Sequence, residues 1–96
     1  MAKPYPKHIR IKDPKMAALV RQRDGQCLYG LKFGLGDCGG ILHAHHIKCR
    51  GAGGDDVKEN MISLCAKHHD QAHWGKISKV VLYALLTLFY GYPNLN

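Results

Sequence analysis

The chain has 96 residues, 46% of them hydrophobic, and a formal net charge of +7 from fourteen Lys and Arg against seven Asp and Glu. A chain this short forms one small domain, which often needs a metal or disulfides to support its limited core. The positive charge favours a polyanionic partner, nucleic acid before an anionic membrane surface.

Two patterns exclude membrane and secretory classes. The longest apolar run, residues 80–90, is about half of the roughly 20 residues that a membrane span requires. The N-terminal segment is basic and proline-rich and has no apolar core typical of a signal peptide. We therefore expect a soluble, cytoplasmic protein, in which four cysteines mixed with histidines favour a metal over disulfides.

The N-terminal third predicts a basic segment followed by one helix. Residues 1–12 contain Pro4 and Pro6, which exclude a regular helix, and we favour a solvated tail over a basic arm that touches phosphates. Asp13 and Pro14 are typical of a helix start, and Gly25 predicts its end. The helix, about 14–24, would pack through an apolar stripe of Met16, Leu19 and Val20.

The glycine-rich segment 25–40 predicts a looped hairpin that carries two metal ligands. Its six glycines make a long regular element improbable, and it holds Cys27 and Cys38. A second pair, Cys65 and His68, has the spacing of a zinc knuckle, so the four residues predict a structural Cys₃His zinc site. Unmetallated buried thiols are the alternative, and Cys49, which could replace Cys38, is expected to be a free thiol.

The rest of the chain predicts two strands and two helices. Residues 41–47 form the first strand, 48–59 a polar loop, and 61–64 the second strand. A helix follows over about 66–75, and residues 77–90 form a C-terminal packing helix. The apolar positions available for burial in that last helix are Val80, Val81, Ala84, Leu85, Leu88 and Phe89.

Six of the seven histidines lie between His43 and His73. His69 and His73 are four residues apart, so on a helix both project from one face and can bind one ion. Histidines on a strand pair and on the helix after it would converge on a cleft for one divalent cation. His43 has no clear role in this pattern and is expected to support the site or to contact substrate.

The order of these residues resembles the HNH endonucleases, the His-Asn-His branch of the ββα-metal nucleases. The matching residues are His45-His46-Ile47, Gly53-Gly54-Asp55-Asp56, Asn60, Leu64-Cys65-Ala66-Lys67-His68-His69 and His73. The match spans about 27–73, half of the chain. It departs from the usual pattern of two Cys-x-x-Cys knuckles in two ways. Ten residues separate Cys27 from Cys38 in the first pair, and the second pair, Cys65 and His68, ends in a histidine.

The resemblance implies an α+β fold for residues 1–96, a single nuclease domain. It would have a small ββα-metal core, a zinc-stapled looped hairpin, and one flanking helix at each end. It also implies a metal-dependent DNA endonuclease, in which His46 is the general base and Asn60 ties down the loop and orients it. His45, His69 and His73 would bind one catalytic divalent cation, Mg²⁺, Mn²⁺, Ni²⁺ or Zn²⁺, beside the structural zinc.

Basic residues flank the predicted site and would contact the phosphates of DNA without sequence preference. These residues are Lys48, Arg50, Lys67 and Lys76. A homodimer, or a phage or bacterial partner protein, could supply specificity, since the chain has no evident domain for it. The alternative function is a zinc-stapled nucleic-acid-binding module without catalysis.

Overall fold

The computed structural model describes residues 9–34 and 36–93. It is a small α+β fold, as expected, with a two-stranded antiparallel hairpin and helices on its flanks. The elements are α1 (Met16–Asp24), α2 (Leu28–Phe33), β1 (Leu42–His46), β2 (Met61–Cys65), α3 (Ala66–His73) and α4 (Lys79–Tyr90), with 3₁₀ turns at Arg50–Ala52 and Lys58–Asn60. The sequence analysis therefore predicted the class and order of the main elements correctly.

The hairpin is the centre of the fold. Leu42 pairs with Cys65 at one end and His46 pairs with Met61 at the other. All five residues of β2 are buried, whereas those of β1 are half-buried. Strand β2 leads directly into α3, so the residues of this junction lie close to the side chains of β1.

The first helix buries a narrower face than its apolar stripe predicted. Val20 is 1% exposed, but Leu19 is 51% exposed, so the expected burial of Leu19 was wrong. The helix begins at Met16, and the Asp13 carboxylate accepts a hydrogen bond from the Lys15 backbone N–H at 3.0 Å. Gly25 ends the helix with a φ of +72°, a conformation that glycine adopts without strain.

Segment 25–40 was predicted to be a looped hairpin of tight turns, and the structure places a short helix within it. It contains α2, a helix of six residues, which the glycine content did not predict. Cys27 lies immediately before α2 in an extended conformation, and its Sγ accepts a hydrogen bond from Gly30 N–H at 3.5 Å. This local fold turns the Cys27 sulphur towards the start of the helix.

The C-terminal helix packs through a face that is rotated from the expected one. Val80, Leu88 and Phe89, predicted to be available for burial, are 65%, 59% and 37% exposed. Leu85 is buried as expected, together with Leu82, Tyr83 and Leu86, whereas Ala84 is exposed. A run that is apolar on nearly every side does not determine which face docks, because several faces are equally hydrophobic. Within the described ranges, no helix has the length and hydropathy needed to cross a bilayer.

Arg23 and Asp24 connect α1 to both β2 and α4. The Asp24 carboxylate accepts hydrogen bonds from Ser63 N–H at 2.8 Å and from the Tyr90 hydroxyl. The Arg23 guanidinium lies 4.5 Å from the centre of the Tyr90 ring and donates to the Met61 carbonyl at 2.8 Å. Burial opposes ionisation of Asp24, but hydrogen bonds from the Arg23 guanidinium, the Tyr90 hydroxyl and Ser63 outweigh burial and lower its pKa.

Candidate metal centre and histidine cluster

The predicted zinc ligands meet at one point. Cys27 precedes α2, Cys65 precedes α3, His68 lies in the first turn of α3, and Cys38 comes from the loop between α2 and β1. Their ligand atoms all lie within 4.8 Å of one another, and this is the only such group of metal-binding side chains found in the described parts of the chain. The cluster can therefore hold a metal ion such as zinc.

The distances within this cluster match a tetrahedral site. The His68 Nδ1 atom lies 3.3 Å from the Sγ atoms of Cys27 and Cys65 and 3.6 Å from that of Cys38. Zinc bonds of about 2.3 Å to sulphur and about 2.0 Å to nitrogen place tetrahedral N and S ligands about 3.5 Å apart. The four side chains are thus spaced to share one ion, with Nδ1 as the histidine ligand.

The three thiols lie close enough to change one another's pKa. Burial, with the neighbouring thiols of Cys65 and Cys27, raises the pKa of Cys38 to about 12. Burial opposes ionisation of Cys65, but hydrogen bonds from the backbone of His68 and Gly39 lower its pKa. Crowded thiols repel one another as thiolates, and a bound divalent cation removes that penalty by coordinating them in deprotonated form.

Gly30 leaves the space that the Cys38 sulphur occupies. A Cβ atom at Gly30 would lie 2.4 Å from Cys38 Sγ and 3.7 Å from both Cys27 Sγ and His68 Cε1. No side chain other than hydrogen fits at that distance. Gly30 is therefore part of the metal centre because of its size, although the sequence analysis gave it no role.

The outer nitrogen of His68 faces a carboxylate. His68 is fully buried, and its Nε2 lies 3.3 Å from an Asp37 oxygen, without the alignment of a hydrogen bond. The other oxygen of Asp37 accepts a hydrogen bond from Lys67 Nζ at 2.6 Å. Lys67, predicted to contact DNA, is thus engaged beside the metal centre.

Three histidines form a second cluster on the other side of α3. The His69 ring stacks on His43, with centroids 4.7 Å apart and planes at 16°, and meets His45 edge-on at 5.1 Å. His43 and His45 share one face of β1 because they are two residues apart. His73, one turn along α3 from His69, is exposed, and its ring contacts the exposed Trp74 at 5.7 Å.

Two of these histidines, His45 and His69, favour the neutral form because their pKa values are lowered. Burial lowers the pKa of His45 to about 4, and positive charge on His69, His46, His73 and Lys79 lowers it further. Burial likewise lowers the pKa of His69, followed by the charges of His43 and His73. A neutral imidazole keeps a lone pair for a cation, so the cluster can offer nitrogen ligands at neutral pH.

The side chain of His46 is separate from this cluster. Its Nε2 lies 2.7 Å from Oδ1 of Asp56, in the loop between the two strands. The same oxygen accepts a hydrogen bond from Arg10 at 2.5 Å, and Asp56 Oδ2 accepts from Asp13 N–H at 2.9 Å. The adjacent histidines 45 and 46 therefore have different partners, as strand alternation requires.

Asn60 connects the two ends of that loop. Its side-chain oxygen accepts a hydrogen bond from Lys48 N–H at 2.9 Å, and its amide donates to the carbonyls of Lys48 and Asp55. The Tyr83 hydroxyl of α4 donates to the same oxygen at 3.0 Å. Asn60 has no hydrogen bond to His46 itself, so any orienting effect acts through the backbone of the loop.

Comparison with known proteins gives a distant similarity to a restriction enzyme. The chain is 27% identical over 92 residues to the type IV methyl-directed restriction enzyme EcoKMcrA of Escherichia coli (strain K12). The match covers 92% of this chain but 31% of that enzyme, so the chain spans less than a third of its length. No family profile matches the chain, and no solved structure gives a significant match. A restriction enzyme is thus its distant relative. With the Cys/His cluster, this supports a relationship to nucleases.

The residues predicted to contact nucleic acid are all exposed. Lys48, Arg50 and Lys76 are exposed, as is Lys67 despite its contact with Asp37. Lys79, which was not predicted, is near enough to the histidines to lower the pKa of His45. Its position at the start of a packing helix gave no sequence signal of this proximity.

Arg10 and Asp56 were also given no role by the sequence analysis. Asp56 belongs to the Gly53-Gly54-Asp55-Asp56 run of the motif, between the histidine pair and Asn60. Its position in the motif could have indicated a role beside the histidines. Arg10 gave no such signal, because it is 46 residues from Asp56 in sequence. The part of the basic N-terminal segment that is described, from residue 9 onwards, is attached to the loop, which the favoured solvated-tail interpretation did not anticipate. Residues 1–8 lie outside the described ranges.

Proposed function

We propose that this protein is a metal-dependent endonuclease that hydrolyses phosphodiester bonds in DNA. The observation that carries the proposal is the pairing of two histidine sites at one strand end. His45 contacts His69 of α3, whereas its neighbour His46 contacts the carboxylate of Asp56. The first arrangement suits cation binding and the second suits proton transfer. The distant similarity to a restriction enzyme supports the same chemistry and DNA as the partner.

His46 acts as the general base in this proposal. Its Nε2 lies against Asp56, an acceptor, so Nε2 carries the proton and Nδ1 keeps the lone pair. Nδ1 would take a proton from the water that attacks phosphorus, because it carries the free lone pair of the neutral imidazole. Asn60 would keep this geometry by joining the first and last parts of the loop.

His45, His69 and His73 would hold the catalytic divalent cation. His45 and His69 are already in ring contact, and their neutral forms present nitrogen lone pairs. A divalent cation bound there supplies Lewis-acid chemistry, by polarising the scissile phosphate and stabilising charge on the leaving 3′ oxygen. His43, stacked on His69, would fix the orientation of that ring.

The zinc centre would be structural. Cys27, Cys38, Cys65 and His68 form a closed set of four ligands, which leaves no position for substrate. We propose one nuclease domain with its motif over 27–73, in which the zinc centre fixes the position of α3 against the hairpin. A homodimer or a partner protein would supply specificity.

DNA would be bound mainly through its phosphates. Lys48, Arg50 and Lys76 are exposed, and Lys79 lies near the histidine cluster. Contacts of this type give affinity that depends on salt and little choice of sequence. Lys67 is the weakest member of the predicted set, because binding phosphate would break its contact with Asp37.

A plasmid-cutting assay tests the proposal. Purified protein should convert supercoiled plasmid to nicked or linear DNA with Mg²⁺, Mn²⁺, Ni²⁺ or added Zn²⁺, and EDTA should stop the reaction. His46→Ala should abolish cutting and retain the zinc content and melting temperature of the parent. His8→Ala, which changes a histidine outside the motif, is the matched control. Cutting by His46→Ala at the parent rate would contradict the role of this residue.

A nucleic-acid-binding module without catalysis is the second candidate. One observation favours it: among the described residues, the Cys/His68 group alone brings three or more ligand atoms within 4.8 Å. This function predicts one tightly held metal per chain and DNA binding without cleavage under any cation. The same assay, with DNA binding measured by fluorescence anisotropy, separates the two functions.

A further inference from the structure

The segment before α1 is fastened to the loop that carries Asp56. Asp56 N–H donates to the Ile11 carbonyl at 2.8 Å, and Ile11 N–H donates to an Asp55 carboxylate oxygen at 2.7 Å. Asp13 N–H donates to Asp56 Oδ2 at 2.9 Å, and Arg10 donates to Asp56 Oδ1 and to the Gly54 carbonyl. Residues 10–13 therefore bind along 54–56 as an additional layer over this loop.

These contacts converge on one carboxylate, that of Asp56. The backbone N–H of Asp13, then His46, then Arg10 hold its pKa well below the usual range, so the group is an anion. An anionic oxygen offers no proton, and Oδ1 must accept from both Arg10 and His46. The contact therefore fixes His46 as the tautomer protonated at Nε2.

Stability alone does not account for this arrangement. The Arg10 and Asp56 side chains are only 20% and 14% exposed, and for such a pair the cost of removing both charges from water offsets much of their attraction. The apolar side chains of this segment, Ile9 and Ile11, are 86% and 52% exposed, so its polar contacts with the loop, and not a hydrophobic surface, attach it. The arrangement does, however, control the direction and tautomer of one imidazole.

We propose that Asp56 is the positioning residue of His46, and that Arg10, from the N-terminal segment, holds Asp56 in place. This inference rests on the proposed nuclease function. It adds residues 10–13 to the active site, although they lie outside the motif of 27–73. Asp56 acts through His46 and does not touch substrate.

The test combines single-turnover plasmid cutting, DNA affinity by anisotropy, zinc content, and the tautomer of His46 read by long-range ¹H–¹⁵N NMR. In the parent, His46 should be protonated at Nε2. Asp56→Ala should give mixed tautomers and lower the cutting rate constant about 100-fold, the lower end of what a positioned base contributes. Its affinity for DNA and its zinc content should stay within twofold of the parent.

Two further variants separate positioning from folding. Asp56→Asn keeps an acceptor oxygen without the charge, so we expect an intermediate loss of about tenfold. Arg10→Ala keeps both Asp56 and His46 but removes the guanidinium that holds Asp56, so it should lower the rate constant less than Asp56→Ala does. Glu59→Gln, the same carboxylate-to-amide change three residues further along, is the matched control and should cut like the parent.

The outcomes distinguish this inference from the function on which it rests. If the parent cuts DNA and Asp56→Ala cuts at the same rate, the positioning role is overturned and the nuclease function stands. An Asp56→Ala variant that loses zinc, or falls equally in affinity and rate, also overturns it by showing a structural role. If the parent cuts no DNA with any cation, the proposed function is overturned and the inference with it.

Discussion

Gly30→Ala is the sharpest test of the metal centre, because it adds one methyl group where the zinc ligands meet. The new Cβ would lie 2.4 Å from Cys38 Sγ, which no relaxed structure allows. Without metal, the Cys38 side chain can rotate away, and alanine in the interior of a helix is favoured over glycine by about 1 kcal/mol. The apo protein should therefore be unharmed or slightly more stable.

When metal is bound, Cys38 Sγ has to stay at its coordination position, and the added methyl group would clash with the sulphur there. Structural zinc sites with four ligands bind with about 10–16 kcal/mol, so one ligand contributes about 3 kcal/mol. At 1.4 kcal/mol for each factor of ten, loss of the Cys38 bond would weaken zinc affinity about 100-fold. The substitution thus has opposite effects on the apo and metal-bound forms.

The assay is competition for zinc against a chromophoric chelator, with melting curves recorded before and after EDTA. Gly36→Ala is the matched control, since a Cβ at Gly36 meets nothing within 4 Å. We expect the control to bind zinc like the parent, and Gly30→Ala to lose most of the stabilisation that zinc provides. Zinc affinity of Gly30→Ala within threefold of the parent would refute the assignment of Cys38 as a ligand.

Three further predictions concern separate parts of the fold. Ni²⁺ bound at His73 should quench the fluorescence of Trp74, the sole tryptophan, because the rings of these two residues lie 5.7 Å apart. Quenching that survives His73→Ala would contradict metal binding at His73. Tyr83→Phe should lower the unfolding free energy by about 1 kcal/mol in urea titrations, since it removes the hydroxyl bond to Asn60; an unchanged value would show that this bond adds no stability. Asp24→Asn should lower the free energy of unfolding at pH 7, because a carboxyl group with a lowered pKa stabilises the fold only while it is ionised. The difference in unfolding free energy between variant and parent should narrow as the pH falls below about 4. A difference that does not change with pH would contradict this.

The sequence predicted the strands and α3 well, because each of these apolar patterns is compatible with a single type of element. The order of the strands and of α3 followed from apolar runs bounded by polar loops, and Cys65 and His68 were brought together by knuckle spacing. The burial of α4 was not predictable in the same way. Apolar residues lie on nearly every side of α4, so the sequence does not show which side is buried. The packing of the rest of the core determines that Leu82, Leu85 and Leu86 are the buried leucines.

The candidate site was predictable in its ligands and not in its supporting contacts. Cys27 and Cys38 could be proposed from residue type, because thiols mixed with histidines suit zinc. The contact of Arg10 with Asp56 could not, since an ion pair between distant segments depends on how the chain folds back and leaves no periodic pattern. Gly30 was missed because the size of a glycine matters only when its neighbours in space are known.

The junction between β2 and α3 links the two sites physically. His68 and His69 are adjacent on a helix, so their side chains point about 100° apart around its axis. His68 is turned towards the three cysteines, and His69 is consequently turned towards His43 and His45. A cation held by His68 would fix the rotation of α3, and with it the position of His69 opposite β1. The Cys/His centre would thereby set the geometry of the histidine cluster.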